Sequence, residues 1–165
     1  MTVRWLTGGA ATLAMLVPSG ATGGAAPDLM LSPAQVPSAL HAALTTDRST
    51  YAPGDQVRLR ITLTNTSDRS FQFARFGPYA NWKLIVTDAG GHAVDAAPAA
   101  VGVVAPHHLH TMGPGSESFA DAQGNMWLPL AVWGYTLTAP GIYRIQAVFR
   151  PDERIVSNSA PITIR

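Results

Sequence analysis

The chain contains no cysteine. That excludes disulfides, thiol catalysis, cysteine-ligated zinc and iron–sulfur clusters, and it removes any lipid-modified cysteine behind a leader. Lysine occurs once, as Lys83, so nearly all positive charge is Arg. Glutamate is confined to Glu117 and Glu153. A paired-carboxylate site therefore has few candidates, and no spacing singles one out. The chain has no G-x-S-x-G elbow, no H-E-x-x-H and no phosphate-cradling glycine loop. It also lacks a continuous apolar run of about 20 residues and any stretch with helical period. The expectation is a chain that is not an enzyme.

The first residues read as an address. Arg4 is a sparse positive start, Leu6 to Val17 is small and apolar, and Pro18-Ser19-Gly20 breaks the run before Gly24-Ala25-Ala26. These are the three parts of a secretory signal peptide, assigned to residues 1–26 and cleaved near Ala25 to Asp28. The mature chain is then expected in the periplasm or outside the cell, with no membrane span. Losing Arg4 with the leader brings the basic residues level with the 10 acidic ones. A formally neutral chain without a basic patch argues against nucleic acid and against an anionic membrane surface. Residues 27–39 hold three prolines and read as a linker. Residues 40–165 remain as one domain, long enough to bury a core without staples.

Within it, Pro53-Gly54-Asp55 supplies a turn, and Val57, Leu59, Ile61 and Leu63 then alternate with Arg58, Arg60, Thr62 and Thr64. Successive side chains on a strand point to opposite faces, so this is a half-buried strand with one aliphatic and one polar face. Leu40, Ala42 and Leu44 alternate in the same way before it. Phe71, Phe73 and Phe76 suggest a short aromatic strand closed by Gly77-Pro78. Trp82, Leu84 and Val86 make another, ending in the hairpin signal Asp88-Ala89-Gly90-Gly91, with Ala93-Val94 starting a return strand. Residues 107–112 alternate, Phe119 marks another short strand, and Asp121 to Asn125 reads as a loop. Tyr143, Ile145, Ala147 and Phe149 share a face, and Ile162 and Ile164 close the chain. Asn65-Thr66-Ser67 matches a glycosylation sequon, and a polar turn explains it as well. The expectation is all-β: an immunoglobulin-like antiparallel β-sandwich of about seven to nine strands.

Thr46 to Val57 (T-D-R-S-T-Y-A-P-G-D-Q-V) resembles the opening of bacterial extracellular immunoglobulin-like domains, including the macroglobulin type, with their aspartate followed by Tyr-x-Pro-Gly-acid. Leu63 to Ser67, Trp82 to Gly91, Tyr135 to Ile145 and Ser157 to Ile164 agree with that grammar. The intracellular proteinase inhibitors of bacilli are similar in theirs. The resemblance implies a β-sandwich, with Tyr143 as its corner tyrosine, and a binding or inhibitory role without carrying over an inhibitory loop.

The one chemically pointed cluster is His107-His108-Leu109-His110-Thr111-Met112. On a strand, His108, His110 and Met112 share a face and form a candidate copper site, with His41 and His92 as further donors. Exposed histidines beside a core methionine explain the same run without metal. Phe71, Phe73, Phe76, Tyr79, Trp82, Trp127, Trp133 and Tyr135 offer rings for sugar stacking, although packing in the core accounts for such residues more often. The leading expectation is an exported, non-enzymatic binding or accessory domain engaging a protein or cell-envelope partner. The alternatives are a small copper-binding protein and a proteinase inhibitor.

Overall fold

Alternation along Arg58–Asn65 sets the frame. Leu59, Ile61 and Leu63 are wholly buried, while Arg58 is exposed and Arg60, Thr62 and Thr64 are half-buried on the other face. The computed structural model describes residues 39–98 and 108–165. The expected leader and nearly all of the expected linker lie outside the described residues, as does His107.

In chain order the strands are β1 (Leu40–Thr46), β2 (Thr50–Tyr51), β3 (Arg58–Asn65), β4 (Phe71–Arg75) and β5 (Trp82–Thr87). They continue as β6 (His108–Met112), β7 (Gly115–Ser118), β8 (Leu128–Pro129), β9 (Gly141–Phe149) and β10 (Ala160–Ile164). One helical turn, α1 (Pro78–Asn81), precedes β5, and a 3-10 turn spans Leu130–Trp133. The fold is all-β. It has more strands than expected because β2 and β8 are two residues each, too short to leave a periodic signal. Among the described residues no helix is long and apolar enough to cross a membrane.

One sheet runs β1-β3-β7, with β8 also pairing β3. A second runs β2-β10-β9-β5, antiparallel except for the parallel β2–β10 pair. A third consists of β4 and β6, antiparallel, with Phe71 opposite Met112 and Phe73 opposite His110. The expected return at Ala93-Val94 is present but short: an antiparallel bridge, Thr87 to Ala93, and a hydrogen bond from Val94 N to Val86 O at 2.9 Å, made by β5 at the edge of its sheet.

All three sheets feed one apolar cluster that includes Leu59, Ile61, Trp82, Leu84, Tyr143 and Ile145. Its aromatic centre is Trp82 against Phe149 (5.0 Å between centroids) and Phe119 (5.3 Å), with Phe73 edge-on to Phe149 at 5.2 Å. Edge-to-face geometry adds roughly 0.5–1.5 kcal/mol per pair beyond the area buried. Phe71, Phe73, Trp82 and Trp133 are buried, Tyr79 meets Trp133 edge-to-face at 4.9 Å, and Tyr135 donates to the Leu84 carbonyl at 3.1 Å. Phe76 lies beyond the end of β4 and is 38% exposed.

Polar groups finish the ladders. Asn158 accepts from Leu44 N at 2.8 Å and donates to Leu44 O at 3.0 Å, tying β1 to the segment before β10. Ser157 Oγ accepts from Ala147 N at 2.9 Å. Asn65 is 2% exposed, its amide donating to Arg69 O and its oxygen accepting from Ser67 N and Oγ. The Asn65 side chain of the sequon is therefore buried and used within a polar turn whose Thr66 is exposed. Gly54 sits at φ 81° in the Pro-Gly turn, where a side chain would be strained, and its N–H donates to Leu137 O at 2.9 Å.

Candidate functional site

The histidine strand forms as β6, and its side chains are put to different uses. Alternation places His110 and Met112 on one face and Leu109, 51% exposed, on the other. Met112 is 4% exposed and belongs to the apolar cluster. His110 Nε2 lies 2.6 Å from Glu117 Oε2, and its ring meets Phe73 at 5.3 Å. The other oxygen of Glu117 accepts from Arg75 Nη1, and the Arg75 guanidinium lies 5.2 Å over the Phe119 ring. Glu117 thus joins β7 to both β4 and β6. His108 stands opposite Arg75 in the ladder. Of the further donors, His92 pairs with Asp88 at 3.2 Å in the hairpin, and His41 is exposed on β1 opposite Thr64. Among the described residues no three His, Asp or Glu side chains gather where they could hold a metal ion.

A different site is built on the polar face of β3. Here β3 changes partner: β7 pairs Thr62 to Asn65, and β8 pairs Arg58 and Leu59. Between those ladders the chain touches β3 through Phe119 N to Ile61 O (3.0 Å), swings outward, and returns at Leu128. The excursion is rigid by its own chemistry. Asp121 Oδ1 accepts from Gln123 N (2.9 Å) and Asn125 N (2.8 Å), while Oδ2 accepts from Asn125 Nδ2 (3.0 Å). Those donors, the Asn125 side chain first, hold the Asp121 carboxyl below its usual range.

The excursion delivers Met126 and Trp127, 41% and 39% exposed, above the two strand arginines. The Arg60 guanidinium lies 5.6 Å over the Trp127 ring, and its Nη2 is 3.4 Å from Met126 Sδ, a weak acceptor. Arg60 Nε is buried without a hydrogen-bond partner. Arg58 Nε reaches only Gln56 Oε1, at 3.4 Å. Neither guanidinium has a carboxylate within 4.0 Å among the described residues. With Gln56, Asp121, Asn125 and Pro129, these side chains enclose an open cleft of about 510 Å³. That size falls in the range of ligand-binding clefts.

The sequence placed Arg58 and Arg60 on a polar face, and left Trp127 between sugar stacking and the more common core packing. The missing signal was spatial: the cleft exists only because Trp127 is carried back across β3. The pattern Asp-x-x-Gly-Asn at 121–125 marked the loop but not where it lands.

No family model matches this chain, and neither does any curated protein. Among solved structures, a β-glucosidase from Erythrobacter marinus is similar over 76% of this chain and 15% of its own, at 18% identity and a TM-score of 0.41. The alkylpurine DNA glycosylase of Pseudomonas fluorescens, bound to DNA with an abasic-site analogue, is similar over 83% of this chain and 33% of its own, at 13% identity and a TM-score of 0.46. This chain spans a third or less of either protein, at likenesses too distant to carry function.

Proposed function

We propose that this chain is an exported, non-enzymatic domain of immunoglobulin-like sandwich fold that docks a partner protein of the cell envelope through the Arg58–Arg60–Trp127 cleft. Support for the sandwich comes from the antiparallel ladders around one core. It comes also from Tyr143, whose hydroxyl donates to Ala139 O at 2.9 Å, four residues upstream, as a corner tyrosine does. Support for export is the leader-like composition of residues 1–26.

The observation that carries the docking role is the grouping of the exposed Trp127, Met126 and Arg58 with the half-buried Arg60 on one face. Aromatic residues, Met and Arg are the types enriched in protein interfaces, and Trp and Arg dominate their binding energy. A tryptophan 39% exposed, held in place by a guanidinium and a rigid loop, is preorganised for contact.

A photo-crosslinking side chain at position 127, in the full chain expressed in its host, tests this. One discrete envelope protein should be captured and then lost when Arg58→Ala and Arg60→Ala are added. A crosslinker at Arg154, which is exposed and ion-paired to Asp152, should capture none. Equal capture at both positions refutes the docking face.

A further inference from the structure

We infer that the cleft recognises an extended acidic segment of its partner, with carboxylates at alternate positions, each received by one of the two strand arginines. The inference rests on the docking role proposed above and adds the chemistry of the ligand.

Spacing is the first argument. Arg58 and Arg60 are two residues apart on one face of β3. A strand rises about 3.3–3.4 Å per residue, so their side chains leave the sheet roughly 7 Å apart. An extended ligand has the same period, so its side chains at i and i+2 face one way at the same interval. An acid-x-acid segment therefore matches the arginine pair position for position. Acids at i and i+1 point to opposite faces and cannot.

Unmet hydrogen bonding is the second. A guanidinium presents parallel N–H groups that suit a carboxylate bidentately, and such charge-assisted pairs are among the strongest hydrogen bonds. In Arg60 one of those groups, Nε, is buried and unpaired, and Nη2 meets only the Met126 thioether. A buried donor without an acceptor costs free energy. A carboxylate that displaced the unbranched Met126 side chain would replace a weak acceptor with a charged one. The Arg60 guanidinium already lies over the Trp127 ring at 5.6 Å, so less freedom is lost on binding.

Charge balance is the third. The cleft holds two guanidiniums and one carboxylate, Asp121, whose two oxygens already accept three hydrogen bonds from its own loop. The surplus is positive, and it lies beside an exposed indole and thioether that would cover the apolar flank of a bound segment.

Fluorescence anisotropy with labelled heptapeptides and the full chain tests the inference. A peptide with Glu at i and i+2 should bind at least tenfold more tightly than its Gln isostere, and than a peptide with Glu at i and i+1. Binding should weaken as salt rises. Arg60→Gln should weaken it at least tenfold, and Arg60→Lys nearly as much, because lysine keeps the charge but loses the fork. Thr64→Ala, on the same face but beyond the cleft, should leave it unchanged. Unaltered thermal melts for all variants separate lost binding from lost folding. Equal affinity for Glu and Gln peptides, or no dependence on spacing, overturns the inference, as does binding of an oligouronate but of no peptide. If position 127 still captures a protein while the peptides fail to discriminate, the carboxylate chemistry is wrong and the docking face stands. If it captures nothing, the docking face itself is wrong.

Discussion

Tyr51→Phe removes one oxygen and leaves the ring in place. Tyr51 is 2% exposed, and its hydroxyl donates to Asp47 Oδ1 at 2.5 Å while accepting from Arg48 N at 3.1 Å. Asp47 Oδ1 also accepts from Arg58 N at 3.3 Å, and the Arg48 guanidinium lies 4.6 Å over the tyrosine ring. The Asp-x-x-x-Tyr-x-Pro-Gly-Asp run is thus a clasp that closes the end of the β1–β3 ladder. A hydrogen bond to a charged group contributes about 1.5–3 kcal/mol. Burial, reinforced by the Asp47 hydrogen bond, pushes the Tyr51 hydroxyl from 10.0 up to about 12. A rise of roughly two pH units corresponds to about 2.7 kcal/mol of preference for the protonated, folded state.

The pH dependence follows from the same numbers. Between pH 10 and about 12 the folded protein keeps the Tyr51 proton and the unfolded chain has lost it. The folded state therefore binds more protons there, and stability falls as pH rises. The contribution is fully present below pH 10 and gone above about 12. Burial also raises the Tyr79 and Tyr135 hydroxyls, so the wild-type curve carries their slope as well. The difference between wild type and Tyr51→Phe isolates Tyr51. In urea denaturation the variant should be less stable by about 2–3 kcal/mol at pH 8, with the gap closing toward zero near pH 12. A gap that stays constant with pH, or one below about 0.5 kcal/mol at pH 8, refutes the clasp.

Three further outcomes are expected. Ile61→Ala and Leu84→Ala, at 0% and 4% exposure, should each cost about 2–5 kcal/mol in denaturant titrations, and Arg58→Ala far less; equal losses would mean that the face assignment of β3 is wrong. Copper titration by calorimetry should give no saturable micromolar site built on Met112, because its thioether is sealed in the core and His110 already pairs with Glu117; binding abolished by both His110→Ala and Met112→Ala would restore the copper reading. Intact mass of protein recovered from outside the cytoplasm should place the first residue between Ala25 and Asp28, and a chain still bearing Met1 would refute export.

How far the sequence could be read depended on whether a feature was local. Leu59, Ile61 and Leu63, or Tyr143, Ile145 and Ala147, declare their burial by period-two alternation, because one pleated face does all the packing. The Pro-Gly turn and the Asp121–Asn125 loop were legible for the same reason: their hydrogen bonds join residues a few positions apart. Illegible were pairings set by distant partners. Ala93-Val94 does return beside β5, but nothing local announced that the full ladder partner of β5 is β9, some sixty residues on. Nor did the histidine run announce that β7 brings Glu117 against His110, a contact between sheets that no spacing encodes. Met112 has a metal-binding chemistry and a packing chemistry, and only its surroundings decide between them.

The same logic explains why the candidate site lies where it does. Thr62 and Thr64, further along the polar face of β3, exchange hydroxyl hydrogen bonds with Ser118 (3.0 Å) and Ser116 (2.9 Å) across the β7 ladder. That part of the face is internally satisfied and offers little to a ligand. Where β7 ends and β8 has not begun, the ladder lapses, and the polar face meets the outward excursion instead. Arg60 stands in the lapse. It cannot pair with a neighbouring strand residue on that side, and the excursion offers it an indole and a thioether but no carboxylate. The interruption leaves a buried guanidinium nitrogen unpaired. Two buried side-chain donors, Arg60 Nε and the core Trp82 Nε1, lack an acceptor among the described residues, and of the two Arg60 alone lines a surface cleft where a ligand could supply one.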